Sequence, residues 1–268
     1  MKYLLNLTRY GILSLIAFVS IFPFIWMLIG ATNTSADIIK GKVSFGDQLL
    51  ANFATLSETV DLPLVAWNSA KIAGISVFFS LLLCSMAGYG FEIFRSKARE
   101  RIYATLLLTM MIPFAALMIP LFMMFAKAGL LDTHFAVVLP TLATAFIIFY
   151  FRQTTKAFPS ELRDAARVDG LKEWEIYLFV YMPVMRSTFA AAFIITFMFA
   201  WNNYLWPLIV LQSNDTKTLT LVISSIAQGY YPDYAIVMVA TILATLPTIL
   251  VFFLMQRQFV QGMLGSVK

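Results

Sequence analysis

Apolar residues in this 268-residue chain fall in long continuous runs, not in the strict alternation of half-buried strands. A helix that crosses ~30 Å of hydrocarbon needs about 20 mostly apolar residues, with a range of about 17–25. Six segments meet that requirement: 10–31, 69–91, 102–126, 135–151, 187–211 and 234–255. The fourth is the shortest, which predicts a helix close to the membrane normal. Pro23, Pro113, Pro120, Pro140, Pro207 and Pro247 sit inside these runs. Soluble helices rarely tolerate them, whereas neighbouring membrane helices re-satisfy the freed carbonyls. Membrane barrel strands are only about 9–11 alternating residues long, so the run lengths predict helices. The first run exceeds the apolar core of a cleaved signal peptide, which is about 7–15 residues. The predicted fold is all-α: a polytopic membrane helix bundle of six transmembrane helices, forming a single transmembrane domain over residues 1–268.

Three connections between these runs are long. Segment 32–68 carries Gly41, Gly46 and Pro63, with room for a short amphipathic helix around 52–60. Segment 212–233 has the polar ends "SNDTKT" and "GYYPDY", and segment 152–186 is strongly charged. Lys and Arg orient such a chain, because cytoplasmic loops carry the excess of them. With the N-terminus inside, Lys40, Lys42, Lys71, Lys127 and Lys217 lie on or near the outer side, and the other fourteen of the 19 Lys and Arg lie on the inner side. The bias predicts both termini and the 152–186 loop in the cytoplasm. It also accounts for the net charge of +5 without a nucleic-acid partner.

Composition agrees with the span count. Apolar residues make up 60% of the chain, charged residues 12%, and mean hydropathy is +0.82. Soluble domains average about 45–50% apolar and about 25% charged, so this chain has too little charge for a water-facing surface. Candidate chemistry is sparse. No G-x-x-x-x-G-K-[ST] phosphate loop is present. His134 is the only histidine and no His/Cys/Glu grouping has metal spacing, so no catalytic or metal site is predicted. Cys84, the only cysteine, excludes an intramolecular disulfide and reads as a packing residue. Ion-coupled carriers usually hold ionisable groups deep in their spans. Here Glu92, Lys71 and Lys127 stand at span ends, where they can snorkel.

The stretch "ELRDAARVDG" (161–170) stands out in such a chain, with five charged residues, two adjacent alanines and a closing glycine. Pro159-Ser160 reads as a helix start with Ser160 as N-cap, and Glu161 and Asp164 suit the positive helix end. Gly170 reads as the stop. The positions i, i+3, i+4 and i+7 are Leu162, Ala165, Ala166 and Asp169, a narrow and nearly flat stripe. On pattern alone the segment is either an exposed connector or a small-residue face that lets another surface approach closely. In the fifth span, Trp201, Asn202, Asn203 and Tyr204 form a polar and aromatic cluster, with Trp206 and Pro207 following. Aromatic faces and amides bind sugars. The competing reading is helix–helix hydrogen bonding by the asparagines with interfacial aromatics. Adjacent asparagines face different directions, so no more than one of the two faces a path.

The run "PSELRDAARVDGLKEWEIYLFVYMPVMRS" resembles the cytoplasmic EAA loop of ABC-importer permeases. Asp164-Ala165-Ala166 stands for Glu-Ala-Ala, followed by three residues, Gly170 and later Pro183. Asp164 is one methylene shorter than the usual Glu. "WNSAKIA" in the second span, "FAWNNYLWPL" in the fifth and "FVQGMLGSVK" at the end resemble motifs of the carbohydrate branch, with Met263-Leu264 where Thr-Ala is usual. The resemblance spans the chain and is greatest to the smaller permease of maltose-type and other disaccharide importers. It implies a bacterial inner-membrane permease subunit for a sugar, with Glu161, Asp164, Ala165, Ala166, Asp169 and Gly170 in a coupling helix that docks on a separate ATPase. It also implies Trp201, Asn202, Asn203 and Tyr204 as candidates for the solute path. Trp174, Tyr177, Leu178 and Tyr181 would lie at the membrane interface. The tail after the sixth span carries apolar residues with no lipid left to cover them, so Gln261, Gly262 and Met263 are expected to touch the ATPase. Implied partners are a second homologous permease, two ATPase subunits and an extracytoplasmic solute-binding protein. No cofactor is expected on this chain; ATP and Mg2+ belong to the partner ATPase. The alternatives are an importer permease for a non-sugar solute, an ion-coupled secondary carrier, or a structural membrane protein.

Overall fold

The computed structural model describes residues 2–264 as helices joined by short turns, with no strand among them. In chain order the helices are α1 (Lys2–Ala31), α2 (Ser35–Ile39), α3 (Leu49–Thr59), α4 (Leu62–Ile93), α5 (Lys97–Thr109), α6 (Phe114–Lys127), α7 (His134–Val138) and α8 (Ala145–Thr155). They continue as α9 (Ser160–Val168), α10 (Glu173–Ile176), a π-helical turn at Tyr177–Tyr181, α11 (Met182–Val184), α12 (Arg186–Trp201), α13 (Leu205–Val210), α14 (Leu219–Ala227) and α15 (Tyr234–Leu264). Among the described residues, five helices or near-continuous helix pairs are long and apolar enough to cross a membrane, and α5 with α6 makes a sixth if the two count as one bent span.

That bend corrects the third expected span, which is not one straight helix. α5 and α6 meet at 100° across Met110–Pro113. Pro113 lacks an N–H and its ring pushes Ile112 out of helical conformation, so the helix ends there and restarts beyond it. The fourth span is also interrupted: a 3-10 turn at Leu139–Thr141, carrying Pro140, separates α7 from α8. The fifth breaks between α12 and α13 at Asn202–Tyr204. The second span starts at Leu62, earlier than hydropathy places it, and the sixth helix continues to Leu264. The tail contact assigned to Gln261, Gly262 and Met263 falls where only helical backbone is described, and residues 265–268 lie outside the described residues.

The chain divides into two compact units. In the unit formed by Met1–Pro63 and Leu221–Pro247, Ala31, Leu56, Ile236, Val239 and Ala240 are buried together. The Asn52 amide donates to the carbonyls of Ala31 (2.9 Å) and Asn33 (3.0 Å), which fastens α3 to the end of α1.

The unit formed by Leu64–Thr220 and Thr248–Lys268 holds the charged loop and the fifth span. Its core groups Cys84, Ile147, Ile148, Phe151 and Ala192, which gives Cys84 the packing role read from its apolar run. α4 buries Asn68, Ser69, Ser76, Ser80 and Ser85, small polar residues that allow close helix approach. Asn68 donates to the carbonyls of Asp215 (2.8 Å) and Lys217 (3.1 Å), and the Leu219 N–H donates to Ser69 Oγ (2.8 Å). Asp132 has a left-handed backbone (φ 58°). Its carboxylate accepts from the N–H groups of Gln212 (2.8 Å) and Ser213 (3.0 Å) and from the Thr216 hydroxyl (2.6 Å). The Thr216 hydroxyl first, then the backbone donors, hold that carboxyl well below the usual carboxylate range. His134 Nε2 lies 3.0 Å from the Thr216 carbonyl, which places it in this loop clasp.

Candidate functional site

α9 forms where turn chemistry predicts it, with the cap one residue earlier. Pro159, not Ser160, is the N-cap, and Ser160 is already helical. Glu161 stands in the first turn and Arg167 in the last, both favourable to the helix dipole. At the C-terminus Gly170 adopts φ +87°, which only glycine takes at little cost. The Gly170 N–H donates to the Arg167 carbonyl and the Leu171 N–H to the Ala166 carbonyl, both at 3.0 Å. This is the Schellman closure. Glu161, Asp164, Ala165, Asp169 and Gly170 are exposed, but Ala166 is buried. The expected flat stripe therefore divides: Ala165 faces outward and Ala166 turns against its own chain. The outward apolar residues are Leu162, Ala165 and Val168, with Val168 88% exposed. Val168 was missed from the sequence, where its only signal is an apolar side chain among charges.

The return from α9 is organised by one carboxylate. Glu173 accepts from Arg163 Nη2 (3.1 Å) and Arg167 Nε (2.7 Å), both on α9, and from the Tyr89 hydroxyl on α4 (3.3 Å). Partial burial pushes the Glu173 carboxyl up, but the two guanidinium groups outweigh it and leave it lowered. The Lys172 N–H donates to Glu175 Oε2 (2.6 Å), which starts α10. In the π turn, Tyr177 and Tyr181 are buried, contrary to the expected interfacial stripe; Trp174 and Leu178 stay exposed. The wider turn stacks the two tyrosine rings (centroids 5.6 Å apart, planes at 21°). Their hydroxyls reach Ser85 Oγ (2.6 Å) and Thr155 Oγ1 (2.7 Å), on α4 and α8. A phenol satisfied by a buried hydroxyl has no need of the headgroup region. Burial raises both tyrosine pKa values above the ordinary one.

A second polar group ties α4, α5 and α8. Arg152 is 6% exposed, pairs with Glu92 (3.3 Å) and Glu100 (2.5 Å), and lies over the Tyr103 ring at 3.9 Å. Glu92 also meets Arg95. Glu92 therefore does not snorkel: its side chain is 8% exposed and turned into the protein, where Arg152 offsets the desolvation of its charge.

In the fifth span, Trp201 is buried, and its ring stacks on Phe197 at 5.6 Å. Asn202 is exposed, with its amide donating to the Met198 carbonyl at the end of its own helix (2.9 Å). Asn203 and Tyr204 are half-buried at the break itself. Trp206, buried nearby, donates to the Ala136 carbonyl (2.8 Å) and so ties α13 to α7. The two adjacent asparagines thus have different surroundings, as their spacing requires. No group of three or more metal-competent side chains occurs among the described residues.

Long apolar helices, several broken at proline or polar positions, and a charged helical loop tied to α4 and α8 mark a polytopic membrane protein. The same fold occurs in a chain of the crystal structure of a bacterial ABC transporter involved in the import of the acidic polysaccharide alginate. The TM-score is 0.85 and the match covers 96% of this chain and 97% of that one, at 20% identity. The chain belongs to the family of binding-protein-dependent transport system inner membrane components, whose model matches residues 80–265. It is similar to the lactose transport system permease protein LacG of Rhizobium radiobacter, with 68% identity over 98% of this chain and 96% of the relative. It is also similar to the arabinooligosaccharides transport system permease protein AraQ of Halalkalibacterium halodurans (34%, over 94% and 93%). A third relative is the sn-glycerol-3-phosphate transport system permease protein UgpE of Brucella abortus (31%, over 98% and 97%). These relatives are transport permeases, not enzymes.

Proposed function

We propose that this chain is one permease subunit of an ABC importer for a disaccharide or short oligosaccharide, with a lactose-type sugar as the first substrate class. The observation that carries the reading is the 68% identity, end to end, with a permease named for lactose transport. The complex contains a second homologous permease, two ATPase subunits and an extracytoplasmic binding protein. Both termini and the 152–186 loop face the cytoplasm, by the bias of Lys and Arg. α9 docks in a groove of the ATPase through Glu161, Asp164, Ala165, Asp169 and Gly170 with Leu162 and Val168, while Ala166 holds the helix against its own chain. The Gln261–Gly262–Met263 stretch makes a second contact with the ATPase. ATP and Mg2+ bind the ATPase, whose closure on ATP moves α9 and switches the spans between inward- and outward-facing states. The Asn202–Tyr204 break, with Trp201 behind it, contributes to the solute path.

Uptake of radiolabelled lactose in cells lacking this chain, with and without complementation, tests the reading. Lactose uptake should depend on the chain and on ATP, and excess unlabelled lactose should compete where sn-glycerol 3-phosphate does not. Loss of glycerol-phosphate uptake with lactose uptake intact overturns the sugar assignment. Chain-dependent uptake that survives ATP depletion overturns the importer reading altogether.

A further inference from the structure

The docking helix is not rigidly continuous with any span. It leaves α8 through Phe158-Pro159 and returns through the left-handed Gly170, so the backbone alone transmits its movement poorly. Side chains bridge both gaps. Glu173 takes two arginines from α9 and the Tyr89 hydroxyl from α4 on a single carboxylate. Four and eight residues further on, the stacked Tyr177 and Tyr181 place one hydroxyl on Ser85 of α4 and the other on Thr155 of α8. Tyr89 lies against both rings, with centroids 5.5 Å and 4.8 Å away, and Phe158 closes on Tyr181 at 5.3 Å. The backbone between these tyrosines is π-helical, an uncommon turn that often marks functional positions. From there the chain runs through α11 into α12.

We infer that Glu173, Tyr177 and Tyr181 are positioning residues that form a rigid joint, through which movement of α9 is delivered to α4, α8 and α12 together. The inference rests on α9 being the ATPase-docking helix and adds the route by which its motion reaches the spans. Tertiary hydroxyl pairs between three elements resist hinge motion where apolar packing alone allows sliding. Without them α9 follows the ATPase while the spans lag. The loss is then one of coupling and not of assembly.

The test uses the complete transporter reconstituted in proteoliposomes, with solute transported per ATP hydrolysed as the readout, normalised to assembled complex. Tyr177→Phe with Tyr181→Phe keeps both rings and removes both hydroxyls. Ser85→Ala with Thr155→Ala removes the same two hydrogen bonds from the other side. Each pair, and Glu173→Gln alone, should lower transport per ATP at least fivefold. Ser85→Thr with Thr155→Ser should restore it, and Trp174→Phe, an exposed neighbour outside the joint, should leave it unchanged. A ratio unaltered in either hydroxyl pair overturns the joint, and if one pair fails to assemble the other decides. Crosslinking from Val168→Cys to the ATPase reads docking separately. No crosslink in the unaltered joint means that the docking reading has failed. A crosslink with an unaltered ratio means that only the joint has failed.

Discussion

At Gly88 the backbone of α4 packs directly against α8. A Cβ placed there would lie 2.6 Å from Phe151 Cβ and 2.8 Å from the Arg152 backbone nitrogen. Gly88→Ala should therefore destabilise the purified chain by about 1–3 kcal/mol, the usual cost of overpacking, seen as a lower thermal midpoint in detergent. Arg152 beside it is a different case, a buried cation whose removal leaves a carboxylate uncompensated. Arg152→Met should cost about 3–5 kcal/mol, toward the lower end because Arg95 still meets Glu92. A double-mutant cycle with Glu92→Gln should recover part of that loss. Asp132 adds a pH dependence. Its folded pKa is lowered from an ordinary 3.8, so its contribution is complete above that value and disappears as pH falls through the lowered one. Asp132→Asn retains a side chain suited to the left-handed backbone and removes the charge. Its thermal midpoint should lie below that of the parent at pH 7, and the gap should narrow steadily below pH 3.8.

Among the elements, α9 was legible almost to the residue because its signals are local. A proline-led start, acids in the first turn and a left-handed glycine at the end operate within ten residues of one another. The broken fifth span was less legible. Pro207 suggested a weakened backbone, but the break falls earlier, at Asn202–Tyr204, where α12 ends and α13 begins at Leu205. That geometry separates two asparagines that composition treats alike. Asn202 spends its amide on the Met198 carbonyl, while the Asn203 side chain makes no hydrogen bond among the described residues. Asn203→Ala should lower solute uptake at least fivefold with the complex intact, and Asn202→Ala should lower it less. Equal loss of assembled complex in both variants would identify the pair as helix-packing residues instead.

For the whole molecule the decisive property is which side of the membrane each connection occupies. Cysteines introduced at Ser96 and Lys172 should react with an impermeant thiol reagent only from the cytoplasmic face. Those at Asp47 and Asn214 should react only from outside. External labelling at Lys172 would remove α9 from the reach of any ATPase.

The sequence by itself determined the helical membrane class, the approximate position of every span, the loop helix and the Lys/Arg asymmetry. All of these depend on quantities that run along one chain: the length of an apolar run against the thickness of a bilayer, hydrogen bonds that close within a helix, and charge counted by segment. Only the tertiary structure decided that Ala166 faces inward, that Glu92 is buried, that Tyr177 and Tyr181 leave the interface for the interior, and that the third span bends by 100°. Glu92 finds Arg152 across 60 residues and Tyr177 finds Ser85 across 92. A titratable or phenolic group goes to water, to lipid headgroups or to a buried partner according to what stands opposite it, and periodicity within a single helix carries no record of that neighbour.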